Sequence, residues 1–293
     1  MSSIAEAPGL QAPNSGGDVD RGAGVVVRNL EQLDEMAQVE PLFASIWGGG
    51  SSQTAMPVNL LVALVHSGGY VGGAMRDGEL VGAAVGFLAR RQGAIELHSH
   101  VTGVALDHQG SGVGLALKEH QRRWARSKGL PAVTWTFDPL SRRNGWFNLA
   151  KLGAQAVSYH PNFYGAMPDA QNGNDETDRC IARLTTGEPF PTRTHDVAAD
   201  QQVRSALEVG PGERPVTMGL DLGAPVISCQ VPPDIVAIRR VDLRLGRDWR
   251  LELRATMGRA MADGYIATSI TRDGCYQLLR PAMSANPDHP VAS

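Results

Sequence analysis

The chain has 293 residues, of which 42% are hydrophobic and 19% charged, and its formal net charge is −3. This composition is ordinary for a globular protein. The slight negative balance gives no electrostatic footing for nucleic acid or an anionic membrane, and neither is expected as a partner. No apolar run reaches the ~18 residues a spanning helix needs, and no charged-then-apolar leader opens the sequence. Cys180, Cys229 and Cys275 are odd in number and far apart, without a CxxC pair. They read as free thiols in a reducing, cytoplasmic setting, not as a disulfide frame or a metal site.

Residues 1–22 are rich in Gly, Pro, Ser, Ala and Asp, lack apolar periodicity, and are expected to be a disordered tail. Val25, Val26 and Val27 begin a first strand. Leu30, Leu33, Met36, Val39, Leu42, Phe43 and Ile46 then recur at helical spacing up to about Trp47, where Gly48, Gly49 and Gly50 end the helix. Pro57 suits the first turn of a second helix reaching Ser67. Its residues Leu60, Leu61, Val62, Leu64 and Val65 are apolar on nearly every side, which predicts deep burial. Gly69 to Met75 and Glu79 to Ala89 read as a hairpin turning at Arg76, Asp77 and Gly78. Its many glycines and alanines leave space, either for close packing by the apolar helix or for a ligand.

The stretch from Gly93 to Phe147 reads as strand, glycine turn, helix, strand and the start of another helix. In the strand from Ile95 to Ala105, alternation puts Ile95, Leu97, Ser99 and Val101 on one face and Glu96, His98, His100 and Thr102 on the other. The turn clusters backbone donors at Gln109, Gly110, Ser111, Gly112 and Val113 before a helix running from Gly114 to Lys128. Glycines let backbone approach a ligand closely, and the helix aims its free N–H groups and positive dipole end at the same spot. Such a turn suits a phosphate or pyrophosphate. Neither the dinucleotide spacing G-x-G-x-x-G nor the P-loop ending G-K-[ST] is present.

Gln109, Gly112 and Gly114 instead match Q-x-x-G-x-G, and the stretch resembles the acyl-CoA pyrophosphate turn of the GNAT N-acyltransferase superfamily. Asn144 and the phrase FNLAKLGA, Phe147 to Ala154, resemble that superfamily's later helix. The phrases LHSH, TWTFDPL and YHPNFYG are similar to one branch, predicted acetyltransferases with an extra C-terminal region, over about Val25 to Pro281. The resemblance implies an α/β fold: a mixed, mostly antiparallel sheet flanked by helices, with a smaller C-terminal α/β region. It implies acetyl-CoA or another acyl-CoA as co-substrate, held by Gly103, Val104, Gln109, Gly110, Ser111, Gly112, Val113, Gly114 and Asn144. It further implies transfer to the amine of a small molecule or amino acid, with His100, His98 or Glu96 as base.

The tyrosine that many family members use as general acid falls here at Asn148, an amide that cannot supply a proton. Tyr159 and Tyr164 are the nearest substitutes in sequence. A non-catalytic acyl-CoA sensor is the competing reading, and a homodimer is left open.

Beyond a long loop from His160 to Thr177, Asp178 to Leu184 reads as the last strand of a first domain spanning 23–187. Residues 188–223 read as a connector with a short strand near Val216 to Leu220. Residues 224–282 read as a strand–helix–hairpin region, and 283–293 as a tail. In that region Ile238, Val241, Leu245, Trp249, Leu253, Met257 and Ala260 predict one long amphipathic helix ending at Gly264. Arg247, Arg250 and Arg254 share one of its faces, either as a solvated stripe or as a carboxylate clamp for an acidic acceptor. Arg142 and Arg143 are either solvated or directed at CoA phosphates.

Overall fold

A computed structural model describes residues 20–22, 24–47, 56–91, 93–167, 175–187 and 202–281. The expected tails lie outside these residues, except that Asp20–Gly22 forms β1 at an edge of the sheet. The glycines after Trp47 and part of the 160–177 loop also lie outside them.

Among the described residues thirteen strands make one mixed α/β sheet, antiparallel apart from the β5–β6 and β9–β11 pairs. In chain order the first half is β1, β2 (Val25–Asn29), α1 (Leu33–Met36), α2 (Val39–Trp47), α3 (Val58–His66), β3 (Tyr70–Arg76), β4 (Glu79–Arg91), β5 (Ala94–Val104), α4 (Val113–Ser127), β6 (Ala132–Phe137), α5 (Arg142–Gly145), β7 (Gln155–His160) and β8 (Arg179–Thr185). The second half is β9 (Val203–Val209), β10 (Pro215–Thr217), β11 (Val226–Gln230), α6 (Ile235–Val241), α7 (Leu243–Leu253), α8 (Arg259–Ala262), β12 (Ile266–Ile270) and β13 (Cys275–Leu279). Across the sheet the order is β1-β2-β3-β4-β5-β6-β8-β7-β12-β13-β11-β9-β10.

Helices cover both faces near the middle. On one face α1, α2 and α3 pack on β3 and β4 through Leu30, Met36, Phe43, Leu61, Val71, Ala83 and Val85. On the other, α4 packs through Val113, Leu117 and Trp124 into a core that continues without a break to Trp249, Leu253 and Met257 of the C-terminal half. The two halves of the sheet meet at a single register pair, Ala156 with Ala267. Side chains tie them further: Arg239 Nη1 donates to Asp138 Oδ2 at 3.0 Å and the Tyr276 hydroxyl donates to the Pro139 carbonyl at 3.0 Å.

Several sequence expectations change here. The first helix is two, because the chain turns between Met36 and Val39. In α3 only Leu61 is buried, and Leu60 and Val62 face solvent, because the helix packs on the sheet and α1 along one side and no described residue covers the other. The hairpin glycines answer to packing: a Cβ on Gly73 would meet Leu80 and Leu30 at 2.7 and 2.8 Å, and one on Gly82 would meet Val113 at 3.0 Å. The stretch read as a connector contains β9 in addition to β10, which overlaps the short strand expected near Val216. The single long C-terminal helix breaks at Asp242, whose side chain caps α7 by accepting from the Arg244 and Leu245 amides. That break leaves Val241 90% exposed despite its place in the apolar repeat. Farther on, residues 254–258 widen into a π turn before α8.

Arg250 and Arg254 are neither a solvated stripe nor open to an acceptor. Arg250 grips Asp175 with two bonds of 2.9 Å each and reaches Glu176 at 2.8 Å. Arg254 binds both oxygens of Asp178, at 2.9 and 2.6 Å, and Glu176 at 2.7 Å. Burial works against the Asp175 and Asp178 carboxylates, but these guanidiniums hold both below their usual range. Arg142 is likewise engaged, donating to the Arg272 carbonyl, while Arg143 is exposed.

Lys118 is another buried cation. Its Nζ donates to Ser99 Oγ at 2.7 Å and Gln121 Oε1 at 3.3 Å, and sits 4.1 Å from the centroid of the Trp135 ring. No carboxylate pairs with it among the described residues. Burial alone pushes its pKa down to about 7.

These cations set three expectations for stability. Arg250→Met leaves Asp175 half-buried without its partner, and chemical denaturation should show a loss of roughly 3 kcal/mol. Because both aspartates are depressed, the stability they contribute is present above about pH 4 and is lost as pH falls through their folded pKa values. The Arg250→Met/Arg254→Met double variant should therefore show a weaker acid dependence of Tm below pH 4 than the wild type. Lys118 acts in the opposite window. Between about pH 7 and about 10.5 the unfolded chain binds a proton there that the folded chain does not, so stability should rise with pH by up to ~1.4 kcal/mol per unit. Lys118→Met should flatten that rise.

Candidate active site

The site begins where a ladder stops. β5 and β6 run parallel and pair only at Leu97 with Val133 and His98 with Thr134. Beyond those pairs the remaining residues of β5 have no ladder partner on that side among the described residues. A bulge sits at the same place: Val85 pairs with Val101 and Gly86 with Ser99, so His100 is an extra residue in β5. Bulges bend a strand and re-aim its side chains.

This bulge corrects the simple alternation expected for the strand. His98 pairs with Phe87 on the face that α2 and α3 cover farther along, and Glu96 shares that face. Past the bulge Val101 joins the same face, packing against the α2 cluster, and Thr102 moves to the opposite one. His98 and His100 therefore stand together, with ring centroids 5.0 and 5.8 Å from Phe87. His100 is exposed and His98 half-buried. Burial first, then His100, Arg91 and Lys118, push His98 down to about 4, and partial burial lowers His100 as well. Both imidazoles are neutral at pH 7 and able to accept a proton.

Glu96 has a different situation. It is 3% exposed, and its Oε1 accepts from Arg183 Nε at 2.9 Å and Nη2 at 2.8 Å. It is an ion-pair partner at the closed end of the ladder.

The open edge of β5 leads to the glycine turn. The Ala105 amide donates to the Val81 carbonyl. In an antiparallel ladder the direction repeats every second residue, so the Gly103 amide also turns toward β4 while the Val104 amide points to the open side. Gly103 contributes by lacking a side chain: a Cβ there would meet Ile46 and Trp47 at 2.8 Å. The Val104 carbonyl accepts from Gln109 Nε2 at 3.3 Å, which folds the turn back on the strand. Gly110 and Gly112 take φ values of 80° and 91°, a left-handed region costly for other residues. Ser111 Oγ donates to the His108 carbonyl at 2.7 Å. Gly112 caps α4 with no side-chain acceptor, so the first amides of this 15-residue helix, from Val113 and Gly114 onward, have none from the cap.

These features fit an acyl-CoA. The uncapped helix end offers donors to a pyrophosphate, and the unpaired edge offers the Val104 amide to a pantetheine arm or thioester carbonyl. Asn144 is exposed on α5 and has no described partner in the protein.

Two tyrosines are sorted by their bonds. Tyr159 donates to Asp178 at 2.6 Å, and burial with the Asp178 charge raises its pKa far above the ordinary phenol value. Tyr164 is 46% exposed, and its hydroxyl lies 2.9 Å from Thr136 Oγ1 on β6. Thr134 and Thr136 lie on one face of β6, the face on which Thr134 Oγ1 approaches His98 Nδ1 at 3.4 Å. The structure thus brings Tyr164 to the lip opposite the histidines. Asn148 is buried in a π turn spanning Trp146–Lys151 and accepts from the Trp135 indole at 3.1 Å, a packing role.

The Tyr164 segment is held from the C-terminal half. The Tyr164 amide donates to Thr177 Oγ1 at 3.0 Å and that of Phe163 to the Thr177 carbonyl at 2.7 Å, while Asp175, Glu176 and Asp178 around Thr177 are the residues Arg250 and Arg254 grip. Sequence reasoning missed this link and the buried amine of Lys118. The only local signal for Lys118 was a lysine on the apolar face of a helix.

Across residues 36–147 the chain matches the model of the acetyltransferase (GNAT) family. No curated protein sequence matches it. Among solved structures it is similar to the ribosomal-protein-S18-alanine N-acetyltransferase of Escherichia coli, at 13% identity over 57% of this chain and 97% of that one, with a TM-score of 0.44. It is similar to the ribosomal-protein-S5-alanine acetyltransferase of Vibrio fischeri, at 10% identity over 59% and 99%, with a TM-score of 0.46. It is also similar to a GNAT family acetyltransferase from Elizabethkingia anophelis with acetyl-CoA bound, at 19% identity over 43% and 82%, with a TM-score of 0.37. The part of the chain that contains the hairpin, the interrupted strand, the glycine turn, α4 and β6 is an acetyltransferase domain of the GNAT family.

Proposed function

We propose that the protein is an acyl-CoA-dependent N-acetyltransferase that moves an acetyl group from CoA to the amine of a small molecule or amino acid. The observation that carries this reading is one juxtaposition. The β5–β6 ladder ends beside the uncapped start of α4, with two neutral histidines on one lip and an accessible tyrosine hydroxyl on the other. In this reading residues Gln109 to Gly114 hold the pyrophosphate, with Asn144 beside it. Residues 23–187 form the acyl-CoA-binding domain, and 224–282 dock on it as a smaller region.

Each residue then has a defined task. The Val104 amide polarises the thioester carbonyl and holds the oxyanion that forms when the amine nitrogen attacks. His100 takes the proton the amine loses. It is the better base because its pKa is lowered less than that of His98, and a base works best near the ambient pH. His98, fixed against Thr134, orients His100 or the acceptor. As the carbon–sulfur bond breaks, the leaving thiolate takes a proton from the Tyr164 hydroxyl. Glu96, tied to Arg183, keeps the paired end of the strands closed.

Thiol release from acetyl-CoA, followed with a panel of amines, tests the activity. His100→Gln should lower kcat by about 10² to 10⁴ while calorimetric affinity for acetyl-CoA stays at the wild-type value. The wild-type rate should fall on the acidic side below about pH 6.5, where a lowered histidine protonates, and this limb should vanish in the variant. Tight acetyl-CoA binding without thiol release from any amine would make the protein a sensor. An unchanged rate and limb in His100→Gln would remove the histidine from catalysis.

A further inference from the structure

The α2–α3 layer covers its face of the sheet as far as Val85. From Phe87 onward no helix of that layer covers the face among the described residues, and the residues left on it can be read from the register. Phe87, Ala89 and Arg91 follow one another on β4, opposite His98, Glu96 and Ala94 of β5. Thr134 and Thr136 continue the face on β6, opposite Arg183 and Ile181 of β8, and Arg179 and His160 face each other across β8 and β7. The Phe163 and Tyr164 rings stand at its far side, T-stacked at 4.6 Å, with His160 5.5 Å from Phe163 and the Arg179 guanidinium 5.8 Å from the Tyr164 ring.

The chemistry of this floor is one-sided. Its walls are aromatic, and small Ala89 leaves room between Phe87 and Arg91. The one carboxylate on it, Glu96, is buried and bound to Arg183; its second oxygen is buried as well. Arg91 has no ion-pair partner among the described residues, and its charge reaches far enough to depress the imidazoles of both His98 and His160. Asp178 lies below the Tyr164 segment and is spent on Arg254 and Tyr159. A cation left unpaired beside aromatic walls, close enough for its charge to act on His98, is a receptor for an anion attached to an apolar body.

We propose that the acceptor is a small amine carrying a carboxylate on an aromatic or apolar body, with the body between Phe87 and Tyr164 and the carboxylate on Arg91. This deepens the acetyltransferase reading and rests on it for the position of the amine, which must meet His100. Arg179 borders the same floor, but its described contacts go to the Asp178 carbonyl at 2.9 Å and the Tyr164 ring, so Arg91 is the discriminating residue.

Matched pairs of probes differing only in the carboxylate test this: phenylalanine against phenethylamine, and leucine against isoamylamine. Two readouts are taken on the full chain with acetyl-CoA: kcat/KM from thiol release and Kd from calorimetry with unreactive desulfo-CoA in place of acetyl-CoA. The carboxylate-bearing member should be preferred by about ten- to a hundredfold, the worth of one charge-assisted contact. Arg91→Gln should collapse that ratio toward one, while Arg90→Gln, an exposed neighbour, should keep it. Equal or better use of the plain amines, a ratio that survives Arg91→Gln, or binding of neither member of either pair overturns the proposal. So does activity confined to peptide amines lacking a nearby carboxylate. Binding preference without thiol release would leave the carboxylate seat standing and refute the acetyltransferase reading instead.

Discussion

A backbone hydrogen-bond ladder that ends early is the constraint on which the rest of the structure depends. Buried amides and carbonyls normally find partners, and β5 meets that demand on its β4 side at every residue except the bulged His100. On the β6 side it does so for two residues only. The unpaired edge is tolerated because it opens toward the glycine turn, where a ligand can replace the missing strand, and because Gln109 already takes up the Val104 carbonyl. The His100 bulge bends the strand away at the same point, so the opening and the placing of the histidines are one event.

Around that opening the two faces of the sheet do different work. The α4 face is closed by packing so tight that it buries an amine, Lys118, beneath Ser99 and Trp135. The opposite face is left partly bare, and its histidines stay neutral because burial and nearby cations disfavour a further positive charge. The C-terminal half adds strands to the sheet edge and shares one continuous core with the first half. Its arginines fasten the segment that carries Tyr164, which places a C-terminal helix in control of one lip of the site.

How much of this could be read from sequence depended on how local each cause was. The turn and α4 were legible because positive-φ glycines and helical spacing are properties of neighbouring residues: Gly110, Gly112 and Gly129 all take the left-handed conformation that glycine adopts freely. The bulge at His100 was not, since it exists only in the register between β5 and β4. The long C-terminal helix misled because Asp242, a strong cap, overrides an unbroken apolar repeat. The stripe of Arg247, Arg250 and Arg254 was ambiguous for a simple reason: the carboxylates that settle two of the three lie far upstream in the chain. Arg91 and Phe87 drew no notice as the plain end of a hairpin strand. Only the absence of a covering helix makes them a floor.

The distance between those arginines and their carboxylates has a consequence in time. Bonds from Arg250 and Arg254 to Asp175, Glu176 and Asp178 close loops of 74 to 78 residues. Contacts this far apart in sequence form after local ones, because loop-closure entropy is lost before they contribute anything. During synthesis the opening between β5 and β6 can therefore take shape as soon as β6 and β8 have emerged. The tyrosine lip acquires its fixed position only when most of the remaining chain has been made. On the acetyltransferase reading, a growing polypeptide would be competent to hold a thioester well before it is competent to use one, and α7 serves as the latch that separates the two stages.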